Sequence, residues 1–156
     1  MASEEERPLG YLNGAFMNPE TGKLIGFLVG YRGVLAPAEV EKWNEDYIKV
    51  RDAESVAPVL DILRIREYGL LRTFLNGKRV ITKGGRSMGR VRDFTFDPTT
   101  DFILTLEVSK KFLWIEWNNR QVSYKDIQEV TEKAIVVRTD MEENRTAVKA
   151  RLPLAT

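Results

Sequence analysis

A chain of 156 residues that is 43% hydrophobic and 30% charged has the balance of a folding sequence, with length for one ordinary domain or two small ones sharing a core. It holds no Cys and no His, which excludes disulfides, thiolate nucleophiles and cysteine zinc sites and removes the usual metal ligand and the commonest general base near neutral pH. The net charge of +1 is unevenly split: residues 1–70 carry 8 Lys/Arg against 12 Asp/Glu, a balance of −4, and residues 71–156 carry 16 against 11, a balance of +5.

Halves of opposite sign attract each other, within the chain or between copies, or turn the basic half towards an acidic partner; solvated surfaces that differ by chance are the plainer reading. The N-terminal MASEEERP is acidic where a secretory signal would be basic and then apolar, and no apolar run approaches the roughly 18 residues that cross a bilayer. A cytoplasmic protein without a membrane span is expected.

In chain order, AFM and KLIGFLV flank Asn18-Pro19-Glu20-Thr21-Gly22, and Asx followed by Pro, which presets φ, predicts a hairpin turn. Ala36-Pro37-Ala38-Glu39 starts a helical turn with Pro at its first position, and YIKV closes this stretch as a strand. SVAPVLDILRIREYG then sets Val59, Ile62, Leu63 and Arg66 at helical spacing and stops at Gly69, predicting a linker helix of about three turns.

GKRVIT, the Gly84-Gly85 turn and the strand opening on Met88 form a second hairpin. FTFD and FILTLEV flank the turn Asp97-Pro98-Thr99-Thr100-Asp101, and period two puts Phe102, Leu104, Leu106 and Val108 on one face against Thr105 and Glu107 on the other. Ser123-Tyr124-Lys125-Asp126 reads as a capping box before the apolar strand AIVV. The tail TAVKARLPL, residues 146–154, alternates Val148, Ala150 and Leu152 with Lys149 and Arg151 until Pro153 ends the pattern.

These elements repeat. A step of 79 carries Leu9 to Met88, Gly10 to Gly89, Met17 to Phe96, Pro19 to Pro98, Leu24 to Ile103 and Val29 to Val108. A step of 87 carries Leu35 to Val122, Val40 to Ile127, Ile48 to Ile135 and Val50 to Val137, so the second copy holds about eight extra residues within SKKFLWIEWNNRQ. A self-match at fixed spacing points to one supersecondary unit used twice. The expected fold is mainly β: a degenerate repeat at 9–52, a linker helix at 53–73, a full repeat at 74–140 and a tail at 141–156. The first copy begins too late to own an equivalent of GKRVIT, and either the tail or a second molecule exchanging its strand supplies one; the latter makes a homodimer.

The second copy resembles the PRC-barrel domain, the family of the reaction-centre H-subunit cytoplasmic barrel and of the C-terminal domain of ribosome maturation factor. The resemblance rests on Gly77-Lys78, Gly85, the run Met88-Gly89-x-Val91-x-Asp93, Asp97-Pro98 and Ser123 to Ile127, over residues 74–138. Residues 9–51 resemble a degenerate copy with Gly14 where Asp93 stands. It implies two tandem, small, strongly bent antiparallel barrels and a docking or assembly module without catalysis; the membrane helix and RNA-processing domain of those relatives have no counterpart, so neither specific role transfers.

Phe112-Leu113-Trp114-Ile115-Glu116-Trp117, read as a strand, is apolar on both faces. One face enters a barrel and the other either packs on the first copy or the linker helix, or receives a protein partner on Phe112, Trp114, Ile115 and Trp117. Trp43 is expected in the core. The alternative site is the basic cluster Lys78, Arg79, Lys83, Arg86, Arg90 and Arg92, on adjacent strands, which suits RNA, a ribosomal surface or an acidic protein; solvated strand faces carry such charges too. The run has no aromatic residue for base stacking. Asp93, Asp97 and Asp101 do not fit a calcium loop, and Gly84-Gly85-Arg86-Ser87 lacks the Lys-Ser/Thr of a phosphate loop, so no metal, cofactor or enzymatic activity is expected.

Overall fold

The computed structural model describes residues 8–112 and 115–138, without the side chains of Phe112 and of residues 116–118. The fold is mainly β, and the chain divides into two compact units, Met1–Leu75 with Phe96–Ile103, and Asn76–Thr95 with Leu104–Thr156. No helix among the described residues is long and apolar enough to cross a membrane.

In the first unit β1 (Leu12–Met17), β2 (Leu24–Val29) and β3 (Gly33–Leu35) run antiparallel. A 3-10 turn at Pro37–Glu39 leads into a separate ribbon of β4 (Val40–Trp43) and β5 (Ile48–Val50), and β6 (Val56–Pro58) returns to pair with β3. Alternation puts Phe16 and Val34 inside, where they pack with Ile65, Ile25, Leu28 and Phe74. The Phe16 and Phe74 rings lie 5.3 Å apart.

The predicted linker helix is broken. Pro58 ends the strand β6, Ile62 is extended at φ −83, and Gly69 at φ 91 separates α1 (Leu63–Tyr68) from α2 (Leu70–Thr73). The Asp52 carboxylate caps the backbone N–H of Ser55 at 3.0 Å, in a turn of its own. These interruptions rotate the buried side: Ile65 is buried and Leu63 is exposed, the reverse of what uninterrupted spacing predicts.

Both Asx-Pro turns form, with the same bonds. Asn18 N donates to Lys23 O at 2.8 Å and Gly22 N to Asn18 O at 2.9 Å; Asp97 N donates to Phe102 O at 2.9 Å and Asp101 N to Asp97 O at 2.7 Å. Asn18 Oδ1 accepts from Glu20 N at 3.0 Å and Asp97 Oδ1 from Thr99 N at 2.8 Å. Gly22 and Asp101 share a positive φ, 77 and 65. Within the first unit the two turns also pair reciprocally, Leu24 N to Asp101 O at 2.8 Å and Ile103 N to Gly22 O at 3.0 Å.

In the second unit β7 (Arg79–Thr82), β8 (Ser87–Phe96), β9 (Ile103–Phe112), β10 (Ile115–Ser123), β11 (Ile127–Val130) and β12 (Ala134–Val137) form one sheet in the order β10-β9-β8-β7-β12-β11. The β7–β8 hairpin turns at Gly84-Gly85 as expected, and β7 pairs with β12 in parallel. Val80, Leu106, Val122, Ile135 and Val137 are fully buried beneath the sheet.

The register of β4 on β5 recurs in β11 on β12. Val40↔Val50, Lys42↔Lys49 and Trp43↔Ile48 become Ile127↔Val137, Glu129↔Val136 and Val130↔Ile135, with an irregularity at the same place. The β9–β10 hairpin is the longer one: β9 and β10 have ten and nine residues where β2 and β3 have six and three.

Four expectations are corrected. The strands lie in three open sheets, not closed walls: β10 spans nine residues and β11 four, and such unequal edges do not meet among the described residues. On β9 the buried apolar residues are Ile103, Leu106 and Val108, with Leu104 and the preceding Phe102 exposed, because the alternation changes parity where the chain leaves the first unit for the second. Trp43 is 42% exposed and rests edge-on against Phe27, 5.7 Å between centroids, as a rim residue. Ser123 makes no side-chain cap; Tyr124–Asp126 is a 3-10 turn, too tight for the reciprocal capping box.

Candidate functional site

Two faces of the second unit carry the residues that the sequence singled out. The first is the end of the β9–β10 hairpin. The register sets Ile115 opposite Phe112, Glu116 opposite Lys111 and Trp117 opposite Lys110, with a bulge between Trp117 and Arg120. Ile115 is 68% exposed on β10, an edge strand of its sheet. Trp114 lies outside the described residues, as do the side chains of Phe112 and Trp117.

The second is the basic face. Arg79 of β7 stands directly across from Arg90 of β8, and Arg92 follows two residues later, on the same side by the period of a strand. All three are exposed while Val80 and Val91 point inward. Lys83 and Arg86, also exposed, flank the Gly84-Gly85 turn. The Arg90 guanidinium is anchored by donating to Gly77 O at 2.9 Å. Lys78 leaves the cluster: it is 8% exposed, and its ammonium donates to Thr131 O at 3.0 Å, tying β7 to the loop between β11 and β12.

Beside Arg92 lies a shallow cleft of about 260 Å³ lined by Arg92, Glu107, Ser109, Asn119, Arg120 and Gln121. Arg120 was not singled out in the sequence; β10 brings it alongside β9, and no local pattern signals that pairing. Guanidinium groups across a sheet can bind carboxylates or phosphates bidentately, with Glu107 opposing a highly charged anion in the cleft itself.

Two phenols titrate above their ordinary range. Tyr68 in the first unit does so chiefly because its hydroxyl donates to the Glu20 carboxylate at 3.0 Å, and Tyr124 because it is partly buried. Neither lines the cleft. Asp93 and Asp97 are engaged locally, accepting from Phe94 N and Thr99 N at 2.8 Å each. Among the described residues no group of three acidic side chains could hold a metal ion.

Residues 71–143 match the PRC-barrel domain family. A similar solved structure is that of RimM, a 16S ribosomal RNA processing protein from Pseudomonas aeruginosa, with 13% identity and a TM-score of 0.36 over 85% of this chain and 93% of that one. No curated protein matches the sequence.

Proposed function

We propose that this chain, with a PRC-barrel domain at residues 71–143, is a non-catalytic cytoplasmic assembly module that docks a protein partner through the end of its β9–β10 hairpin. The observation that carries the reading is Ile115, 68% exposed on an edge strand inside the aromatic-rich segment FLWIEW. Aromatic anchors flanked by polar residues (Lys110, Lys111, Asn118, Asn119) are the composition of a protein-binding hot spot. The same reading takes the chain as a tandem duplication in which the first copy lacks its own first strand; the repeated turn bonds and the repeated register of β4–β5 and β11–β12 support it.

A second reading is favoured by Arg79 and Arg90 standing opposite each other with Arg92 beyond: an RNA-binding or ribosome-associated factor using the basic hairpin 78–92. Salt separates the two, since phosphate contacts weaken steeply with ionic strength and apolar burial does not. Partner capture with wild type, Trp114→Ala and Arg90→Glu is compared at about 0.05 M and about 0.5 M salt. Capture that survives high salt and is lost with Trp114→Ala supports hairpin docking. Capture lost only with Arg90→Glu and high salt overturns it in favour of the basic face.

A further inference from the structure

The two ribbons that share a register have different neighbours. In the second unit β12 is covered on its outer side by β7 in parallel, with Ala134↔Arg79, Ile135↔Val80, Val136↔Ile81 and Val137↔Thr82, and Lys83 N donates to Val137 O at 2.9 Å. In the first unit the counterpart of β12 is β5, which among the described residues pairs with β4 alone. The consequences show in the side chains. Ile135 and Val137 are 0% exposed and Val130 3%, whereas Ile48 and Val50 are partly exposed and Trp43 is 42% exposed.

The loop ahead of β5 is also left short of a partner. Thr131 O accepts the Lys78 ammonium. Asn44 occupies the place of Thr131, its N–H making the same turn bond to Tyr47 O at 3.0 Å, and its side-chain amide nitrogen, a donor, is buried with no acceptor among the described residues. Glu41, Glu45 and Asp46 stand exposed around this corner with Lys42 beside them, while Lys49 is exposed on β5 itself. An open edge with apolar residues along it and acid beside it favours one kind of guest, an extended strand led by a basic residue.

We propose that β5 is a docking edge for an extended segment of a partner protein, which adds as a parallel strand with a Lys or Arg followed two residues later by an inward-facing aliphatic residue, as Lys78 precedes Val80. This rests on the reading that the two ribbons are copies of one design, and β7 supplies the template for the guest. Main-chain pairing to Ile48 and Val50 holds the strand, its aliphatic residue covers Ile48, its basic residue meets the carboxylates of Glu41, Glu45 and Asp46, and one of its main-chain carbonyls accepts from the Asn44 side-chain amide.

The probe is a synthetic peptide copying residues 77–83, GKRVITK, titrated into the isotope-labelled full chain and followed by amide chemical shifts. Shifts at Ile48, Lys49 and Val50 are expected. Thr82 N faces β8, donating to Arg86 O at 2.8 Å, whereas Lys83 N faces β12. N-methylation of the peptide at the Lys83 position therefore weakens binding about tenfold or more, and at the Thr82 position leaves it unchanged. No shift at Ile48–Val50, shifts confined to Ala134–Val137, or equal effects of the two methylations overturn the proposal. So does binding that appears only when a dimer dissociates, which assigns the edge to a second copy, or only after residues 139–156 are deleted, which assigns it to the chain's own tail. Capture through Trp114 is measured separately, so either reading can fail while the other stands.

Discussion

Gly89 offers the sharpest stability test, because its missing side chain is where β8 comes closest to β9. Its φ is 123, and a Cβ built there meets only backbone: Ser109 O, Ser109 C at 2.6 Å and Lys110 N at 3.1 Å. No rotamer change relieves such an overlap, so Gly89→Ala must force the two strands apart. Gly85 is the control for backbone strain alone, with φ 87 and nothing within 4 Å of its built Cβ. Gly85→Ala is expected to cost about 1–2 kcal/mol from the left-handed conformation. Gly89→Ala adds about 1–3 kcal/mol of overpacking, for a total of about 2–5 kcal/mol. At a urea dependence of about 2 kcal/mol per molar, the unfolding midpoint falls by about 1–2.5 M for Gly89→Ala and by under about 1 M for Gly85→Ala. Equilibrium urea unfolding followed by tryptophan fluorescence and circular dichroism reads both. If Gly89→Ala is no worse than Gly85→Ala, the close approach of β8 to Ser109 is refuted.

Three further outcomes follow from the same structure. Lys78→Ala, which removes a buried stem and an ammonium held by Thr131 O, should cost about 2 kcal/mol, while Arg79→Ala on the exposed side stays under about 0.5 kcal/mol; chemical denaturation distinguishes them. Asn18, 8% exposed and accepting from both Glu20 N and Thr21 N, should lose about 2 kcal/mol on change to Ala, against about 1 kcal/mol for Asp97→Ala, and thermal melts check the order. Burial raises the Tyr124 pKa above its ordinary value of about 10, so its contribution is full below about pH 10 and is lost as pH rises through the folded value. Melting temperatures measured from about pH 8 to about pH 11 should therefore fall less steeply for Tyr124→Phe than for wild type.

Local chemistry made part of this architecture legible. Asx-Pro predicts both hairpin turns because the side-chain oxygen and the fixed proline φ act within a few residues, and strand alternation puts Arg79, Arg90 and Arg92 outward. The step of 87 that pairs Val40 with Ile127 also pairs their registers, down to the irregularity beside each. Features set by tertiary partners were hidden. Lys78 reads as one more surface cation, yet it is drawn inward by a carbonyl 53 residues away. The helical spacing of Val59, Ile62 and Leu63 survives only in fragments because Pro58 and Gly69 fix the backbone around them. Arg120 joins the cleft through the β9–β10 register, which depends on a bulge that no sequence pattern marks.

The two Asx-Pro turns make the same bonds and pair with each other, and the most direct test of that arrangement is a scalar coupling measured across hydrogen bonds by NMR. Couplings from Leu24 N to the Asp101 carbonyl and from Ile103 N to the Gly22 carbonyl should both be present, as one reciprocal pair. Detection of only one of them, or of neither with both amides exchanging freely, would contradict it.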